Sequence, residues 1–498
     1  MATQLVTGLI AVKLYGRYLG IEVYGVVVVA LQIVSYLPFF DGGFRMVTNR
    51  EILANPTAEQ KQRLIDFSQT FYSLLTLLLV PMGLMLMFGY TRTPTAAHSG
   101  QPIAFFLALG VTAAVSFLGT SQIGLLVGLG AQAWFYLINA LNSVVMVGAL
   151  WASLRQGAGV WAFPISTLAG LLVCYPVALG LIRRLEPELE LFHLRTGSEF
   201  WRQVREIGQA AWPCFRFQVA TLLLYSLDIV MVGLICGSAR DAALYGIVLR
   251  FLGIARSFLQ SVAEVAWPLV TQKSEADQKL ARFVMRFDAL TVGSAVGAMV
   301  FTLGPFLRFY MGPEWTPPQV LICLLTFRLL VTGIGSGPGY LLLGSGEFRT
   351  LARLQQRELA LAVVLGLLLG LKLGMTGIAL GFLLSTVAGN FSPVFYAYAK
   401  STKQSGGQLM WQAWWRGVLG CAISVTVAAL LLPMAGSAWR AAAIGAMAAA
   451  VALVSGVATC GLRVGAIKPR GDPAVEQAEG ADGSPKEAQD HVQVELPK

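Results

Sequence analysis

The stretch 103–127, IAFFLALGVTAAVSFLGTSQIGLLV, contains no Asp, Glu, Lys or Arg, and its reading decides the fold class. About 20 predominantly apolar residues let a helix cross roughly 30 Å of hydrocarbon. The stretch lacks the strict apolar–polar alternation of a half-buried strand. Only helices and closed barrels satisfy their backbone within lipid, so the segment predicts a transmembrane helix.

Working outward, similar segments lie at 2–18, 23–48, 64–90, 134–154, 160–182, 209–236, 243–270, 283–307, 318–343, 354–371, 376–399, 413–433 and 438–462. Together they make about fourteen spans on a hydropathy reading, and the chain reads as an all-α, polytopic integral membrane protein. Composition agrees, with 56% hydrophobic and 12% charged residues and a mean hydropathy of +0.67. Soluble domains carry about 25% charged residues. The first span is short for its role, and Lys13 and Arg17 at its far end give it the wrong polarity for a cleavable signal peptide.

The excess of basic residues has a topological explanation. An even number of spans places both termini on one side. With that side cytoplasmic, the inner loops and helix ends collect Arg50, Lys61, Arg63, Arg183, Arg184, Lys273, Lys279, Arg349, Arg353, Lys400 and others. The outer ones hold only Arg17, Arg92, Arg155, Arg240, Arg308, Lys372 and Arg440, about a third as many, and short loops with that bias face the cytoplasm. Both termini are therefore expected on the cytoplasmic side, and the net charge of +10 calls for no nucleic acid partner. The six cysteines form no C-x-x-C pair and read as small buried hydrophobes. No metal spacing and no phosphate-binding loop occurs, so no cofactor is expected and the chain does not read as an enzyme.

The chain also repeats itself. Tyr24-Gly25 before Val26-Val27-Val28 matches Tyr245-Gly246 before Ile247-Val248-Leu249, and Leu125–Gly130 matches Leu341–Gly346. Gly159-Val160 lines up with Gly377-Ile378, and Ser166-Thr167 with Ser385-Thr386, all at nearly constant offset. The organisation read from this is a six-helix lobe at 1–190, a basic cytoplasmic linker at 191–208, a second six-helix lobe at 209–400 and an additional helix pair at 413–462. An acidic tail at 464–498 is too polar to bury a core and is expected to be disordered. Repeated lobes commonly hold a substrate path between them.

Gly16-Arg17-Tyr18-Leu19-Gly20 followed by Tyr24-Gly25 resembles the R-x-L-G…Y-G junction after the first helix of polysaccharide-transporter flippases. Asp41-Gly42-Gly43-Phe44-Arg45, with Arg50 and Glu51 beyond, resembles the end of their second helix. These proteins belong to the multidrug/oligosaccharidyl-lipid/polysaccharide exporter superfamily, and the resemblance spans about 1–460. It implies alternating-access flipping of undecaprenyl-pyrophosphate-linked oligosaccharide, as in O-antigen and lipopolysaccharide biosynthesis. The implied partners are that lipid-linked substrate, membrane lipids and a polysaccharide polymerase or export machinery.

Ionisable groups within a membrane should face protein, water or substrate, because each costs about 2.5–3.5 kcal/mol to insert. Matching depths along antiparallel spans seven and eight pairs Arg216 with Glu264 and Asp228 with Arg250. Asp41 with Arg45 and Asp288 with Arg286 are further candidate pairs. Lys13, Arg256 and Arg328 are left over, and surplus guanidinium suits a pyrophosphate. The head-group candidates are thus Arg256, Arg328, Arg250, Arg216 and Lys13. Asp228, Glu264, Asp41 and Asp288 are the carboxylates available for ion coupling, each also readable as a structural ion-pair partner. Competing readings are a multidrug/cation antiporter, which would favour an acidic cavity, and a membrane-embedded O-antigen polymerase or ligase, which would need a larger extracytoplasmic domain than these short loops supply.

Overall fold

The computed structural model describes residues 2–54, 57–97, 100–190, 197–266, 275–344 and 347–459. The expected acidic tail lies outside the described residues. Within them the chain is helical, with sixteen α-helices. The first lobe contains α1 (Ala2–Tyr18), α2 (Ile21–Val34), α3 (Phe44–Ala54), α4 (Ala58–Thr91), the single turn α5 (Pro94–Ala97), α6 (Ile103–Gly128), α7 (Gln132–Arg155) and α8 (Ala162–Leu185). The second contains α9 (Ser198–Met231), α10 (Ala239–Ala266), α11 (Glu275–Met311), α12 (Gln319–Gly344), α13 (Phe348–Thr386) and α14 (Ser392–Thr402). The terminal pair is α15 (Gly406–Leu431) and α16 (Ala438–Thr459).

Ten stretches among the described residues are long and apolar enough to cross a membrane. One of them, Arg349–Thr402, holds two passes, because its backbone leaves helical geometry at Gly374 (φ 61°, ψ −141°). Beyond that point the chain returns along itself: Gly377 packs on Leu369, Gly381 on Gly366 and Gly389 on Glu358. A left-handed φ is open to glycine at little cost, which is why the hairpin turns there. The shorter α1 and α2 and the more polar α10 complete the bundle. Leu77, Leu172, Leu430 and Trp439 are more than 70% exposed on its outside, an apolar surface suited to lipid.

Two sequence boundaries shift. The expected second span at 23–48 is broken: α2 ends at Val34, and a 3₁₀ turn at Leu37–Asp41 leads through Gly42 and Gly43, both at positive φ, into α3. Pro38 and the two left-handed glycines prevent a continuous helix there. The segment assigned to a linker is helical from Ser198, as the first turns of α9. Arg202 pairs there with Glu199 and Glu206 at helical spacing, which supports a water-exposed extension.

The repeated Tyr-Gly motif is explained by packing. The lobes cross at α2 and α10. A Cβ on Gly25 would fall 1.7 Å from the Ala239 carbonyl oxygen, and one on Gly246 would fall 2.7 Å from Ile229 and 3.2 Å from Val28. Tyr24 and Tyr245 are buried beside them. The lobes are pinned at the same end by Thr95, which donates to the Gly233 carbonyl, and by Tyr310, whose hydroxyl donates to the Leu9 carbonyl over 3.0 Å. Toward the other end they meet again through α3 and α9, where Phe44 stands over Gly208.

The terminal pair is held against α11 by small residues. Gly293 meets the Gly417 carbonyl and Gly297 meets the Cys421 backbone, both closer than any Cβ permits. Without a hydrophobic driving force between helices in lipid, such close backbone approach is a main source of association. Replacing Gly293 with Leu is expected to prise α15 from α11 and to destabilise the protein by roughly 1–3 kcal/mol. Faster proteolytic nicking between α14 and α15 would register the separation, and an unchanged digestion rate would count against it.

Candidate functional site

The structure redistributes the charges that depth alone had paired. Asp228 is fully buried, and its partner is Arg328, at 2.7 Å across α9 and α12. Arg328 also donates to the Leu224 carbonyl and lies over the Phe382 ring, while the Tyr245 hydroxyl donates to Asp228. Arg328 is therefore not a spare cation, and Arg250 is not the partner of Asp228, because Arg250 points to the exposed side of α10. Arg216 donates to Gln356 Oε1 at 2.6 Å and so ties α9 to α13. The side chain of its expected partner, Glu264, lies outside the described residues. Lys13 is exposed on the lobe–lobe seam, where it donates to the Tyr310 carbonyl and lies 4.9 Å from that ring's centre.

Two further expected pairs do not form. Asp288 accepts from the Ser336 hydroxyl at 3.0 Å, and its other oxygen is buried without a partner among the described residues. Arg286 instead donates to Gln412. Asp41 sits at the break between α2 and α3, where it accepts from the Tyr72 hydroxyl and the Arg45 backbone N–H. The Arg45 side chain packs over Gly124 of α6 and lines the same cavity as Asp41.

Two cavities flank α9. One, about 410 Å³, lies between the lobes and is lined by Asp41, Arg45, Tyr72, Phe117 and Gln218 among others. The second, about 350 Å³, lies inside the second lobe, with Tyr225, Arg256, Ser336, Gln355, Glu358 and Asn390 in its wall. Phe217 and Thr221 line both, so one helix separates them. A smaller hollow of about 80 Å³ leads from Arg256 to the Asp228–Arg328 pair. Of the five proposed head-group residues, these two cavities contain Arg256 alone; the lobes' own packing draws the others to seams or to buried partners.

The two cavities flanking α9 thus show two basic groups, Arg45 and Arg256, and two acidic ones, Asp41 and Glu358. They differ in what is already bound. Asp41 accepts from Tyr72, and Glu358 accepts from Thr386 at 2.7 Å. Arg256 lies 3.6 Å from the Tyr225 ring centre, with its Nε buried and unpartnered, and Arg45 makes no side-chain hydrogen bond among the described residues. Sequence reading missed Glu358, Tyr72 and Asn390. Glu358 falls near the start of the span read at 354–371, beside Arg353 and Arg357, where a charge reads as part of a water-facing helix end, whereas it is only 3% exposed.

No family model and no curated protein matches the sequence. Solved structures do match the fold. A lipid II flippase, MurJ, in an inward closed conformation shares 16% identity, with 92% of this chain and 97% of that one aligned at a TM-score of 0.68. An inward-facing multidrug resistance MATE family transporter of the MOP superfamily shares 15%, over 82% and 94% of the chains, at 0.60. The MATE multidrug transporter DinF-BH shares 15%, over 80% and 95%, at 0.51. Such likeness establishes a common helical fold, aligned over 80–92% of this chain and 94–97% of the others.

Proposed function

We propose that this protein carries an anionic, lipid-linked substrate across the bacterial inner membrane by alternating access of its two lobes, with both termini cytoplasmic. The candidate substrate is undecaprenyl-pyrophosphate-linked oligosaccharide for polysaccharide or O-antigen assembly, handed on to a polymerase or export machinery. One observation carries this reading: the cavity carboxylates already accept hydrogen bonds, whereas the cavity guanidiniums of Arg45 and Arg256 retain free donors. A pyrophosphate can take two parallel N–H···O bonds from each guanidinium. The fold shared with a lipid II flippase supports a lipid-linked cargo. In this arrangement Arg256 and Arg45 hold the head group, and Arg328, Arg216, Arg250 and Lys13 stabilise the lobes around it. Coupling to an ion falls to Asp288, whose second oxygen has no partner among the described residues, rather than to Asp228, which Arg328 neutralises.

Replacing Arg45 or Arg256 with Ala should slow flipping of a pyrophosphate-linked lipid in proteoliposomes by tenfold or more, since charge-assisted hydrogen bonds contribute about 1.5–3 kcal/mol each. Wild-type rates from both variants would refute the assignment. The presence of Asp41 and Glu358 in the same cavities favours a second reading, efflux of an organic cation, in keeping with the multidrug MATE transporters that share this fold. Uptake of a cationic dye that survives Arg45→Ala but fails in Glu358→Gln would favour it.

A further inference from the structure

A second basic site stands apart from the cavities, in the N-terminal halves of α11 and α15. Arg286 donates to the Gln412 side chain at 2.6 Å, and Arg416 donates to the Gln412 backbone carbonyl at 2.7 Å. One residue thus draws both guanidiniums to the same seam. Arg282, one turn before Arg286, and Arg416 are close enough for their charges to act on it. Arg416 is only 8% exposed and rests 4.4 Å from the Trp415 ring centre. Its Nε, like that of Arg286, is buried with no partner among the described residues. Nor, among the described residues, does any carboxylate lie within ion-pair distance of these three arginines.

Clustering like charges at a half-buried seam is costly unless a counter-charge arrives, and here the described chain supplies none. We propose that the α11–α15 seam binds the phosphate of an anionic membrane lipid through Arg282, Arg286 and Arg416. The two unpartnered Nε–H groups are the donors a phosphate oxygen needs, and guanidinium matches its geometry. A lipid fits better than a free anion because α15 presents Trp411 and Val418 outward beside the site, at 65% and 41% exposure, as surface for an acyl chain. Trp411 is also the residue type that marks the headgroup level. Basic pockets between helices at that level are suited to anionic headgroups. None of the three arginines lines the cavities around α9, so the site is separate from the transport path proposed above.

Native mass spectrometry of the full chain, delipidated in detergent, tests this with phosphatidylglycerol, phosphatidylcholine and inorganic phosphate as separate probes. Phosphatidylglycerol should bind at least tenfold more tightly than phosphatidylcholine. Arg286→Gln and Arg416→Gln should each reduce that preference roughly tenfold, while Arg416→Lys keeps part of it. Arg282→Gln, at a position less buried than Arg416, provides a variant expected to fold and should weaken the preference in the same direction. Equal binding of the two lipids, or an unchanged preference in folded Arg286→Gln and Arg282→Gln proteins, would overturn the proposal. So would displacement of phosphatidylglycerol by an equal concentration of inorganic phosphate, which would make the seam a site for a soluble anion.

Discussion

With cysteines in place of Val28 and Gly246, in a chain otherwise free of cysteine, oxidation should abolish transport and reduction should restore it. The positions lie across the α2–α10 crossing, where a Cβ on Gly246 stands 3.2 Å from a Val28 methyl. A disulfide needs Cβ atoms about 3.8 Å apart, so the bond should form with little movement. The lobes approach closely at this crossing, with Gly25 against the Ala239 backbone and Tyr24 and Tyr245 buried alongside. The alternating access proposed above requires this seam to part, and a covalent link forbids it. Transport that continues at the normal rate in fully cross-linked protein would mean that the lobes work without opening here.

The second large effect concerns the buried ion pair. Arg328→Met should lower stability by about 3–5 kcal/mol, because it leaves Asp228 as an unpaired charge with no exposure to water. The Tyr245 hydroxyl and the Ile229 backbone N–H remain as donors, but both already bond Asp228 beside Arg328, so neither replaces the lost counter-charge of a buried carboxylate. Adding Asp228→Leu to Arg328→Met should recover most of the loss, since apolar replacement of a whole buried pair is often neutral. Thermal unfolding in detergent across wild type, both single variants and the double variant measures the coupling. Additive losses would show that the two side chains do not act as a pair. Transport defects in Arg328 variants would then need a different reading from those in Arg256 variants, where no buried partner is abandoned.

How much of this was legible beforehand differs between elements. Spans such as 103–127 needed only length and the absence of charge, since lipid offers a backbone no hydrogen bonds and leaves the helix as the solution. The Tyr-Gly repeat marked equivalent positions in two lobes, and the turn at Gly374 fell between two spans already separated. The break at Leu37–Gly43 was written in Pro38 and two glycines but was obscured by the apolar run around them. Among the charges, depth matching on α9 and α10 chose Arg250 for Asp228. The true partner lies a hundred residues further along the chain, on α12.

Apolar length, charge bias and internal repetition therefore determined the fold class, the approximate number of passes and the two-lobe plan, because each depends on local transfer of side chains and backbone from water to lipid. Only the tertiary structure decided which charges face one another. A helix's periodicity defines the faces it owns, but its rotation and the neighbour that covers each face come from packing across the bundle. That packing buries Arg328 and Glu358, leaves Arg45 and Arg256 at the cavities, and gathers Arg286 and Arg416 at the α11–α15 seam.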